Sequence, residues 1–133
     1  MRIETVIENG MPIALISADE VVMKDVGSAL DLAMAAMHET GGNRMAIDKN
    51  LISEDFFRLG SGMARDILQK YMNYHVMIAV YGDYSHYTSK PLHDFFHESN
   101  RRGDAFFVST KDEAIGKLAG MGEIVVEKSA KTI

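Results

Sequence analysis

Short apolar runs alternate with stretches of helical period along this chain, and that alternation limits the fold more than any other feature. Residues 12–17, 44–48, 76–81 and 105–109 read as strands. The run 76–81 is apolar almost throughout, as expected of a strand covered on both faces. Between them lie helical segments. Leu30, Ala33, Met34 and Met37 recur at helical spacing over 28–39, Ile67, Leu68 and Tyr71 over 63–72, and Leu92, Phe95, Phe96 and Ser99 after Pro91; a short helix follows at 111–119. Strands that alternate with helices imply right-handed crossovers and a largely parallel sheet.

The start of the chain adds one antiparallel neighbour. Residues 2–8 alternate, with Ile3, Thr5 and Ile7 on one side, and Asn9-Gly10 follows. Both turn residues tolerate positive φ, which makes this pair a strong hairpin signal. The predicted order is β-β-α-β-α-β-α-β-α, a single mixed, largely parallel five-stranded α/β sheet over residues 1–120. Residues 121–133 read as a tail in which Ile124-Val125-Val126 can add an edge strand. Local chemistry marks the helix ends. Asp25 or Ser28 can cap the first helix, Ser53 precedes two acids, Pro91 sits in a first turn, Thr110 caps the last helix and Gly103 suits a helix stop. The segment Leu59-Gly60-Ser61-Gly62 interrupts the second helical region.

Composition narrows the chemistry. The chain has no cysteine, which removes disulfides, thiolate metal sites and cysteine nucleophiles together. With 19 acidic and 14 basic side chains its net charge is -5. That balance argues against nonspecific binding to nucleic acid or anionic lipid, which needs a positive patch. No apolar run is long enough for a membrane span, and the first residues lack a signal pattern. The expected location is the cytoplasm. Ten methionines are expected mainly as core filler.

Two resemblances follow from particular residues. Ser53-Glu54-Asp55-Phe56-Phe57, Ile67-Leu68-Gln69-Lys70, Gly82-Asp83 and Glu98-Ser99-Asn100-Arg101 resemble an uncharacterised bacterial family, domain-of-unknown-function family 4180. That resemblance implies a fold and a bacterial origin, and no activity. The element order is also similar to that of the sulfate-transporter and anti-sigma-factor-antagonist (STAS) domains. This second resemblance implies a small partner-binding domain, in several cases switched by serine phosphorylation. The family pattern is Asp-Ser-Ser-Gly; here only Ser61 and Gly62 match it, with Leu59 and Gly60 in the first two places.

The ends of the predicted strands are where ligands gather on such sheets. There the sequence sets Asp48-Lys49-Asn50, Gly82-Asp83-Tyr84 and Ser109-Thr110. Asp48, Lys49, Asp83, Ser89, Lys90 and Arg101 are the candidate ligand-binding residues. Asp83 and Ser89 are also natural caps, and Arg101 naturally complements a helix end. Ser61, between two glycines and before a helix, is a candidate phosphorylation or anion site; a simple kink explains it as well. His93 and His97 are one turn apart, a zinc spacing, but the helical wheel puts both on a wet flank, so no metal or cofactor is expected. Glu54 and Asp55 read as acids at a helix start. No nucleophile-elbow pattern supports a Ser-His-Asp reading.

The expectation is therefore a noncatalytic binding or regulatory domain that acts through protein partners and forms a homodimer, with Tyr84, Tyr87 and the methionines as its contact surface. The competing expectation is a small-molecule- or phosphate-binding protein or small enzyme using the rim pocket.

Overall fold

A computed structural model describes residues 1–120, so the suggested strand at Ile124-Val125-Val126 lies outside the described residues. The strands are β1 (Arg2–Glu8), β2 (Met11–Ser17), β3 (Arg44–Asp48), β4 (Met77–Tyr81) and β5 (Ala105–Val108). The helices are α1 (Val26–Thr40), α2 (Met63–Asn73), α3 (Lys90–Arg102) and α4 (Lys111–Leu118). The five strands form one sheet in sequence order. β1 and β2 are antiparallel, and β2 to β5 run parallel.

The opening hairpin follows from its turn. Asn9 and Gly10 both take positive φ, 53° and 75°, the combination of a type I′ turn. Glu8 therefore pairs with Met11, and the register runs back to Arg2 opposite Ser17.

Alternation along each parallel strand sorts side chains to two faces. Ala14, Ile16, Met45, Ile47, Ile78, Val80, Ala105 and Phe107 share one core with α1, α2 and α3. Ile13, Ala46, Ala79, Phe106 and Val108 share the other with Ala114 and Leu118 of α4. Crossovers of one hand that always step the same way leave the first three helices on one side. They also leave no point where the strand order reverses, the usual origin of a deep crevice in an α/β sheet.

The helix termini use the predicted residues. Asp25 caps α1 by accepting from Ser28 N at 2.8 Å, and Ser28 Oγ accepts in turn from Asp25 N. Ser89 and Thr110 cap α3 and α4. The buried face of α1 differs from the expected one. It is Ala29, Leu32, Ala33 and Ala36, while Met34 is 43% exposed. Small side chains let the helix axis come close to the sheet, and the larger methionines are turned to its margins. Between β3 and α2 the chain makes three 3-10 turns, Lys49–Leu51, Glu54–Phe57 and Leu59–Ser61, in place of a first helical piece. They bury Leu51, Phe56 and Phe57, with Phe57 packed against Tyr84 and Tyr87.

Candidate functional site

The carboxyl ends of β3 and β4 are neighbours, with Asp48 opposite Tyr81. The chain leaves both strands there, and Lys49 is the residue on which the rim turns. It opens the first 3-10 turn, held by Asp48 Oδ1, which accepts from Asn50 N at 2.8 Å. Only 6% of Lys49 is exposed. Its stem packs against the backbone of Gly82, which leaves no room there for any larger residue.

The ammonium ends among aromatic rings. Nζ lies 5.2 Å from the ring centre of Tyr87 and 5.7 Å from that of Phe57. Both are within cation–π range, which offsets part of the cost of withdrawing the charge from water. Phe57 and Tyr87 are stacked, with centroids 5.4 Å apart. Among the described residues Lys49 joins none of the ion pairs.

The residues around this ammonium are themselves engaged. Tyr87 donates its hydroxyl to the Glu54 carboxylate at 3.0 Å. Asp83 accepts from Ser85 N at 2.9 Å in a turn of its own. Hydrogen bonds from the Ser85 side chain and backbone hold its carboxyl below the usual range, with smaller contributions from His86 and then Lys49. His93 Nε2 meets the carbonyl of Tyr87, and His86 packs on the Tyr87 ring at 4.1 Å. Tyr84 turns inward, donates to Val80 O at 2.8 Å and joins the Phe96 and Phe107 cluster. Burial raises the pKa of Tyr84 and Tyr87, and for Tyr87 the Glu54 carboxylate adds to it. Both phenols therefore stay neutral hydrogen-bond donors at physiological pH.

Two shallow clefts flank this cluster. One of about 490 Å³ is lined by Gly82, Asp83, Tyr84, Ser85, His93 and Ser109. The other, of about 340 Å³, includes Asp19, Glu20, Asp48 and Tyr81. Gly82, against which the Lys49 stem packs, lines the first of them, and its chain neighbour Tyr81 the second.

The structure gathers only part of the predicted set. Asp48, Lys49 and Asp83 share the rim. Ser89 is spent as a cap, accepting from Leu92 N at 3.3 Å. Lys90 projects into solvent and pairs with Asp94 at 2.8 Å along its own helix. Arg101 pairs with Glu98 at the far end of α3, about 16 Å from Lys90 at 1.5 Å per residue. Helical spacing explains both pairs, and that signal was present in the sequence. Ser61 is exposed; its hydroxyl donates to Asp55 O at 2.6 Å and accepts from Met63 N at 3.2 Å, closing the turn into α2. His93 and His97 both lie on the exposed flank of α3. Among the described residues no group of three or more His, Asp or Glu side chains is placed to hold a metal ion. No described helix is long and apolar enough to cross a membrane. The sequence does not announce Phe57 as a ring facing Lys49, which meets it across two successive turns, or Glu54 as the acceptor for Tyr87, 33 residues away.

The family described as a domain of unknown function, DUF4180, matches residues 8–118, and the chain belongs to it. The match takes in β2 to α4, including Lys49, Gly82 and Tyr87. No curated protein and no solved structure matches the chain.

Proposed function

We propose that this protein is a noncatalytic binding domain that takes a small anionic group, carboxylate or phosphate, at the strand-end rim, with Lys49 as the charge that recognises it. One observation carries the reading: a lysine that is almost wholly covered, ends against two aromatic rings and pairs with no carboxylate among the described residues. A buried charge costs stability unless it is paired. Rings of Phe57 and Tyr87 compensate in part, and an arriving anion completes the pairing. Binding fits the surroundings better than catalysis, because Asp83, Glu54 and His93 each already hold a structural hydrogen bond.

Isothermal titration calorimetry with inorganic phosphate and, separately, with acetate tests the proposal. A saturable heat with either anion in the wild type, absent in Lys49→Met, is the expected outcome. Equal heats in the two proteins, or none with either anion, count against it.

A second reading is a regulatory domain acting through a protein partner. What supports it is the element order shared with STAS domains and the exposed Ser61 immediately before α2. A phosphate on Ser61 would displace the hydrogen bond to Asp55 O. Phosphoprotein mass spectrometry on the protein from its native host separates the two: modification at Ser61 favours this reading, and its absence under every growth condition removes it.

A further inference from the structure

The two edges of the sheet are treated differently. At the β5 edge, Asn100 reaches from α3 and acts as a substitute strand, donating to Phe107 O at 3.0 Å and accepting from Phe107 N at 2.7 Å. That blocks further pairing there. The β1 edge has no such cover among the described residues. It is seven residues long and lacks proline, lysine and a bulge, three of the devices that usually protect an edge strand; its charges are Arg2, Glu4 and Glu8. Ile7 on it is 62% exposed, and Met1 beside it 67%.

We infer that β1 pairs with β1 of a second copy, antiparallel about a two-fold axis at Thr5, to make one continuous sheet through both protomers. The inference is independent of the anion site and shares no residue with it.

Backbone phase and charge select this register. In a two-residue hairpin the pair beside the turn, Glu8 and Met11, is hydrogen-bonded. Alternate residues Ile3, Thr5 and Ile7 therefore point their N–H and C=O groups outward. Antiparallel pairing centred on Thr5 sets Ile3 against Ile7 of the second copy, and Thr5 against its counterpart, so that these outward groups close about six main-chain hydrogen bonds. On the face carrying α1 the exposed Ile7 is covered by an isoleucine. A mostly apolar groove of about 340 Å³, lined by Met1, Val22, Leu32 and Ala35 together with Ser28 and Asp31, lies on that face to receive it. On the opposite face Arg2 stands against Glu8 of the other copy, twice by symmetry, and Glu4 stands against Val6. Moving the centre by one residue toward the amino end sets Glu4 against itself. Moving it the other way sets Glu4 against Glu8. Like charges directly opposite are unfavourable, so charge leaves the Thr5-centred register as the favoured one. This contact surface replaces the one expected from Tyr84 and Tyr87, whose rings are turned into the aromatic cluster.

Light scattering on size-exclusion fractions, over a concentration series, tests the pairing. Wild type is expected to approach the mass of a dimer as concentration rises. Thr5→Pro removes an outward N–H that no hairpin bond uses, and is expected to give a folded monomer by circular dichroism. Should that variant fail to fold, charge reversal decides. Arg2→Glu alone is expected to weaken association about tenfold, and Arg2→Glu with Glu8→Arg to restore it. A wild type that stays monomeric throughout, or a dimer indifferent to charge reversal, overturns the inference.

Discussion

A methyl group on Gly82 would lie 2.8 Å from Cγ of Lys49 and 2.9 Å from Cδ. The backbone there also sits at φ 152°, a region that side chains rarely enter. The glycine and the lysine thus define one another's positions. Gly82→Ala is expected to cost about 1–3 kcal/mol from backbone strain, plus the displacement of the Lys49 stem. Urea unfolding measures the loss. The same variant should bind phosphate more weakly than wild type, because the ammonium can no longer lie over Tyr87. Unchanged stability would mean that the rim is looser than described.

Asn100→Ala should destabilise the protein by about 1–3 kcal/mol, since a buried N–H and C=O of Phe107 lose their partner together. Asn100→Asp keeps an acceptor for the N–H and loses the donor, so it should fall between. Denaturant melts rank the three proteins. A loss no larger than an average surface change would show that water replaces the side chain freely.

Stability should fall at both ends of the pH scale, for opposite reasons. Asp25 and Asp83 have carboxyls held below their ordinary 3.8, by hydrogen bonds from Ser28 and from Ser85. The folded state favours their ionised forms, so this contribution is complete above that value and disappears as pH drops through the lower folded values. Tyr71 and Tyr84 behave in the reverse sense. Burial raises both above the ordinary 10.0, and the Tyr71 hydroxyl is committed to Ala29 O at 2.7 Å. Their contribution is complete below pH 10 and is lost as pH climbs toward the folded values. Tyrosinate absorbance should therefore rise together with loss of secondary structure. Tyrosines that all titrate near their ordinary value in a folded chain would contradict this.

Much of the fold is written locally. Asn9-Gly10, Asp25, Pro91, Gly103 and Thr110 fix turns and helix ends through the conformation of a few adjacent residues, and strand alternation assigns the two faces. Local pattern failed on α1, where a stripe of alanines packs better than the methionines beside it. It failed also at the rim. A lysine after a strand is ordinarily a solvated residue, and nothing near Lys49 in sequence announces its burial. That depends on Phe57, Gly82 and Tyr87 arriving from other segments. Lys90 and Arg101 illustrate the converse, since carboxylates at helical spacing claim both before any pocket can.

Thermal melting of wild type and Lys49→Met, each with and without phosphate, tests the anion site most directly. Methionine keeps the stem and removes an unpaired charge, so the variant should melt at or above the wild-type temperature without phosphate. At roughly a hundred times its dissociation constant the anion should add about 2.7 kcal/mol to the wild type, a rise of about 8 °C for a domain of this size, and nothing to the variant. A variant that melts well below wild type, or that keeps the phosphate response, would show that Lys49 serves packing and recognises no anion.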